Sequence, residues 1–279
     1  IGDDIDGEAA GDFSGWSVSL SNDGDRVAIG ALSNDDNGSN GSNSGHVRVY
    51  EYTSGSWNQL GADIDGEAFN DNSGRSVALS GDGDRVAIGA ASNDGGGTAS
   101  GHVRVYYYNG VSWSQVDADI DGEANGDLSG YSVSLSNDGT IVAIGASSND
   151  SNGSDSGHVR VYQYSSSTTP NWTQLGSDID GEAATDQSGW SVSLSSDGSI
   201  VAIGAIYNAS SSGHVRVYQY SGGSWNQLGS DIDGEAATDQ SGYSVSLSND
   251  GTIVAIGANL NDGNGTSSGH ARVYEYSNS

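Results

Sequence analysis

Short runs of Val, Ala, Ile and Leu return at regular intervals along the chain, each bounded by Gly, Asn, Asp or Ser. None follows the 3.6-residue period of an amphipathic helix, and their lengths and flanking turn residues are those of β-strands. In the first copy the pattern predicts a strand over Trp16–Ser21 (WSVSLS), a tight turn at Asn22–Gly24, a strand over Arg26–Ala31 (RVAIGA), a third over His46–Tyr52 (HVRVYEY) and a fourth over Trp57–Leu60 (WNQL). Gly24 falls where such a hairpin turn needs a positive φ. The strands are mixed rather than cleanly alternating, as in blades covered on both faces, where small Ala, Ser and Gly suit a crowded centre.

The unit recurs five times. The hexapeptide DIDGEA begins at Asp4, Asp63, Asp119, Asp178 and Asp231, with spacings of 59, 56, 59 and 53 residues. A period of this size with four strand signals per copy predicts an all-β, five-bladed β-propeller of about 56-residue four-stranded repeats, forming a single domain over residues 1–279. Ile1 aligns with Leu60, Leu175 and Leu228, the last residue of the fourth strand, and the sequence stops after the third strand of the fifth copy. The N- and C-terminal strands are therefore expected to share one blade and close the ring. A segment of a longer array is the alternative.

Gly 44, abundant Ser, Asn and Asp, and 34% hydrophobic residues would suggest disorder without this patterning. The net charge of −29 disfavours nucleic-acid phosphates and anionic membranes and favours divalent cations. Cysteine is absent, which removes disulfides and thiol chemistry. No apolar run approaches the roughly 20 residues needed to insert across a bilayer.

The stretch SGWSVSLSNDGDRVAIGA, followed by SGHVRVYEY, resembles the FG-GAP repeat, the blade unit of integrin α-subunit propellers. The matching features are Ser14-Gly15-Trp16-Ser17-Val18 for the Phe-Gly start, Gly30-Ala31, and Gly45–Tyr50 for Gly-x-Val-x-Val-Tyr, and they recur in all five copies. Two departures stand out. Ser replaces the Phe in every copy, and the family's calcium loop between the first two strands is reduced to Asn-Asp-Gly or a similar turn, so its cation sites do not carry over to Asp23 or its equivalents. The resemblance implies binding of proteins or glycans outside cells.

Twenty of the 37 acids lie in one repeated feature. At positions 1, 3, 5 and 9 of the five loops stand Asp4, Asp6, Glu8 and Asp12; Asp63, Asp65, Glu67 and Asp71; Asp119, Asp121, Glu123 and Asp127; Asp178, Asp180, Glu182 and Asp186; and Asp231, Asp233, Glu235 and Asp239. This is the ligand spacing of EF-hand-type loops, which makes Ca2+ the expected cofactor, although Gly stands at position 4 rather than 6 and no Glu stands at position 12. A structural alternative uses Arg48, Arg104, Arg160, Arg216 and Arg272, one per third strand, each pairing with the Glu of a motif. The two readings can coexist, and solvated acids are a third. The chain's five histidines, His46, His102, His158, His214 and His270, open the third strands. A ring of them could take a transition metal, but a structural role against a neighbouring loop is the preferred reading.

Trp57, Trp113, Trp172 and Trp225 on the fourth strands read as packing. The residue after Ser-Gly varies: Trp16, Arg75, Tyr131, Trp190 and Tyr243. Aromatic faces here could stack on sugar rings and Arg75 could meet an acidic group, against the alternative of packing between blades. The long loops after Gly-Ala, such as Ser33–Gly45, vary most, and loops on rigid scaffolds commonly carry recognition.

With no Cys or Lys and no copy chemically distinct from the others, the chain reads as a non-enzyme. The expected function is an extracellular or cell-surface binding and adhesion module, lectin-like or protein-binding, multivalent and calcium-stabilised, with a glycan or extracellular protein as partner. An architectural spacer in a longer surface protein is the alternative.

Overall fold

The computed structural model describes residues 1–35, 42–167 and 171–277, so the middle of the Ser33–Gly45 loop lies outside the described residues. Regular structure among the described residues is almost wholly β. The first copy forms strands Ser14–Leu20, Arg26–Ala31, His46–Thr53 and Ser56–Gln59, hydrogen-bonded in that order. The same antiparallel order recurs in the later copies, giving the five sheets of a five-bladed β-propeller. Val, Ile and Tyr dominate the two middle strands, whose faces are both covered, while the first strand carries the Ser positions. Gly24 has φ +74° and its N–H meets the Ser21 carbonyl at 3.0 Å, the expected hairpin geometry.

A fifth, two-residue strand escapes the sequence pattern. Ile64–Asp65 of DIDGEA pairs with His46–Val47, so the outer edge of the third strand is shared between the Trp strand and the next motif. Ile64 is buried there, which explains the Ile of each motif. Two residues cannot announce themselves by periodicity.

The chain divides into two compact units, Ile1–Gly139 and Thr140–Ser279, where the sequence reads as one body. In the first, Ala28, Val47, Val49, Val77, Leu79 and Ile88 form a core between the first two sheets, with Leu60 and Trp113 against it. The sheets are stitched by Ser17 Oγ to the Gly74 carbonyl at 2.7 Å and by the Leu79 N–H to Ser19 Oγ at 2.9 Å. A Cβ on Gly30 would lie 2.2 Å from that Gly74 oxygen, so only glycine permits the approach. In the second unit, Ala202, Val215, Val254 and Ile256 form the equivalent core, and Ser191 Oγ bonds the Gly242 carbonyl at 2.7 Å.

Among the described residues the expected closing strand is not formed. The fifth sheet has three strands, Ser241–Leu247, Ile253–Ala258 and His270–Glu275, and residues 1–13 form no strand. In the first, second and fourth sheets the third strand's outer edge is covered by a Trp strand and the Ile-Asp of a following motif; His270–Glu275 has neither among the described residues. Its Val273 is accordingly exposed.

Candidate functional site

The second DIDGEA motif shows what each of its residues does. Asp63 Oδ1 accepts from Gln59 Nε2 at 2.6 Å, while Oδ2 lies 3.9 Å from His46 Nδ1. Ile64 plugs the strand edge. The Asp65 carbonyl accepts from Arg104 Nη2 at 2.7 Å, and the Asp65 side chain is exposed. A Cβ on Gly66 would stand 2.0 Å from the Ser44 carbonyl oxygen, so the position admits no side chain. Glu67 splits its carboxylate: Oε1 is 3.5 Å from Arg104 Nη1 and Oε2 is 3.8 Å from His102 Nδ1. Asp71 is buried and folds back, accepting from the Ala68 N–H at 2.9 Å and Asn93 Nδ2 at 2.8 Å.

The other copies repeat these contacts. Gln115, Gln174 and Gln227 donate to Asp119, Asp178 and Asp231 at 2.6, 2.6 and 2.7 Å. Asp12, Asp186 and Asp239 each cap their own loop and take an Asn, namely Asn34, Asn208 and Asn261. Asp127 accepts from the Ala124 N–H at 3.0 Å. Arg48, Arg216 and Arg272 donate to the carbonyls of Asp6, Asp180 and Asp233 at 2.8, 2.7 and 2.5 Å. The arginine corner therefore exists, but its firm bond is to a backbone carbonyl, with the Glu carboxylate farther off. Asp4, Asp121, Glu123 and Glu235 occupy the matching positions of their own loops.

The acids of one loop thus disperse, and groups form between consecutive motifs instead. Glu8, His46 and Asp63 place one ligand atom each within 4.8 Å of one another, as do Glu67, His102 and Asp119, and Glu182, His214 and Asp231. Such groups could hold a metal ion. Burial, aided by Arg104 and opposed by Asp119, pushes the His102 imidazole down to about 4, and burial lowers His46 and His214 as well. These imidazoles are neutral at pH 7, the form that binds metals. Burial raises the Glu67 carboxyl, against the pull of Arg104. The histidines enter these groups although the sequence reading gave them a structural role. The available signal was the near-constant distance from each His to the Asp opening the next motif.

The variable position after Ser-Gly is presented by a strained turn. Phe13, Asn72, Leu128, Gln187 and Gln240, none of them glycine, have φ between +54° and +57°, and each carbonyl accepts from the N–H three residues on. The paired strands carry a bulge at this point, between Ser14 and Ser17 in the first copy. Trp16, Arg75 and Tyr131 meet: the Arg75 guanidinium lies 5.5 Å from the Trp16 ring centre and 3.9 Å from that of Tyr131. In the second unit Trp190 stands 5.9 Å from Tyr243 and 6.3 Å from Tyr207. Trp16 is 53% exposed and Tyr243 44%. The fourth-strand tryptophans differ: Trp113 and Trp225 donate their indole N–H to the carbonyls of Leu60 and Leu175 at 2.8 Å and pack on Tyr108 and Tyr220.

The FG-GAP repeat family model matches residues 5–50 and 232–274, the first and last copies. A search of curated protein sequences finds no match. Among solved structures the fold is similar to that of the hydrazine synthase of Kuenenia stuttgartiensis (TM-score 0.59, 13% identity, 97% of this chain and 67% of that one). It is also similar to the periplasmic gluconolactonase PpgL of Pseudomonas aeruginosa (0.58, 19%, 86% and 64%) and to TolB of Acinetobacter baumannii (0.54, 14%, 93% and 51%). The chain spans about half of that TolB and just under two thirds of the lactonase. Two of these proteins are enzymes by name, which corrects the reading of the chain as a non-enzyme: repetition of similar blades does not exclude catalysis from this fold. No helix among the described residues is long and apolar enough to cross a membrane.

Proposed function

We propose that this FG-GAP repeat β-propeller is a multivalent binding module working outside the cytoplasm, with glycans or extracellular protein segments as ligands and divalent cations at its loop corners. The observation that carries the reading is the meeting of Trp16, Arg75 and Tyr131, with Trp190, Tyr207 and Tyr243 as its aromatic counterpart in the second unit. Flat rings offer stacking faces for sugars, and a guanidinium held against a ring is preset for a carboxylate. Several weak sites of one kind gain avidity through repetition. A periplasmic protein among the similar structures supports a location outside the cytoplasm.

Calorimetry against neutral and uronate-containing oligosaccharides tests the reading. Trp16→Ala and Trp190→Ala are each expected to weaken binding up to about tenfold, since stacking on one ring is worth up to about 1.5 kcal/mol, and Arg75→Gln to weaken only the acidic ligands. Unchanged affinity in all three variants would remove this face from consideration, and self-association of ligand-free protein would favour the architectural spacer. A second reading, catalysis, is favoured by the Glu–His–Asp groups, in which a buried imidazole meets an exposed and a half-buried carboxylate, and by the lactonase-like fold. Hydrolysis of an aldonolactone, lost on substituting those carboxylates, would support it.

A further inference from the structure

The groups Glu67–His102–Asp119 and Glu182–His214–Asp231 contain more than clustered acids. His102 and His214 are 1% exposed, and the Nδ1 of each is buried without a hydrogen-bond partner. Leaving such an atom unsatisfied is costly, yet both units do so at the same position. Each Nδ1 faces two carboxylate oxygens: Glu67 Oε2 and Asp119 Oδ2 at 3.8 Å for His102, and Glu182 Oε2 and Asp231 Oδ2 at 3.8 and 3.9 Å for His214. These separations are too long for hydrogen bonds. Two donors each about 2.1 Å from a tetrahedral ion lie about 3.4 Å apart, so the carboxylate oxygens need move only a few tenths of an ångström to share an ion with the imidazole.

The outer contacts of the carboxylates agree. Each carboxylate gives one oxygen to a protein donor and keeps the other for the imidazole: Glu67 Oε1 lies toward Arg104 and Asp119 Oδ1 accepts from Gln115, as Glu182 lies toward Arg216 and Asp231 accepts from Gln227. Outer partners of this kind fix ligand orientation in metal sites. Two carboxylates and a neutral imidazole carry two negative charges, balanced by a divalent ion. Calcium, suggested by the acid spacing, takes six to eight hard oxygens, whereas a mixed nitrogen and oxygen set suits a borderline ion.

We propose that each of these groups binds one zinc-type divalent cation through His Nδ1, one oxygen of the preceding motif's Glu and one oxygen of the following motif's Asp. Glu8, His46 and Asp63 form a third such site, at 3.7 and 3.9 Å. The Glu and Asp side chains are 44% and 31% exposed in the second group, so the ion enters from solvent and keeps a position open to water. It ties two successive DIDGEA corners to the strand between them. This deepens the cation part of the proposed function and does not depend on the aromatic face.

The test uses the full chain stripped with chelator, titrated calorimetrically with ZnCl2 and followed with Co2+ by visible absorption. Asp119→Asn alters one partly exposed carboxylate by a single atom group and is expected to lower the zinc stoichiometry by about one; with Asp231→Asn the loss is about two, and the Co2+ bands fall in proportion. His102→Gln, its fold checked by circular dichroism, is expected to match Asp119→Asn. Absence of zinc binding at micromolar concentration, a stoichiometry unchanged in the Asn variants, or calcium outcompeting zinc at equal concentration would overturn the proposal. Because no glycan enters the experiment, its failure leaves the aromatic reading standing.

Discussion

Asp250 Oδ1 accepts from Ser248 Oγ at 2.7 Å, from the Thr252 N–H at 3.0 Å and from Thr252 Oγ1 at 2.8 Å, and these bonds hold its carboxyl at about 2. Asp23 is lowered in the same way, first by Ser21 Oγ at 2.6 Å and then by the Asp25 N–H. In both hairpin turns a hydroxyl and amides satisfy the acid, so these carboxylates are occupied without a cation. Because the folded carboxyl of Asp250 titrates below its ordinary value of 3.8, its stabilising effect is complete above that value and is lost as pH falls through about 2. A carbon-detected NMR titration is expected to find the Asp250 midpoint near 2, and Ser248→Ala to move it upward. An unmoved midpoint would assign the shift to the Thr252 donors alone.

At the level of the element, DIDGEA is a corner that covers the outer edge of the third strand in the first four sheets. Gly66→Ala would place a methyl against the Ser44 carbonyl, which cannot yield without opening the Ile64–Val47 pairing. Urea unfolding is expected to show a loss of about 1–3 kcal/mol or more. Gly11→Ala, where nothing lies near the added carbon but φ is +101°, carries backbone strain without a clash and separates the two effects. The main strands were legible because short Val and Ile runs recur between Gly-Asn-Asp turns, and Arg26–Ala31 was placed to the residue. The family was legible because its short motifs recur in order. The Ile-Asp strand was not, being two residues long, and neither was the pairing of His102 with acids from two different motifs, which only the return of the chain brings together. The clustering of Trp16, Arg75 and Tyr131 depends on bulges and positive φ values at non-glycine residues, which leave no mark in composition.

For the whole molecule, a net charge of −29 makes self-repulsion a standing cost of folding. Raising NaCl from about 0.01 to about 0.5 M shortens the screening length from about 30 Å to a few ångström and is expected to raise the melting temperature by a few degrees. A flat response would mean that arginines, turn donors and cations already compensate the acids locally. The seams between sheets carry a further consequence. Ser17 to Gly74, Ser76 to Gly130 and Ser191 to Gly242 are one bond made three times, at 2.7, 2.8 and 2.7 Å, between partners that differ hardly at all. A coding sequence that misaligned with itself by one whole repeat during recombination would join two surfaces that already fit. Copy number is thus a variable such a gene can change in a single step, with no new interface to be selected first.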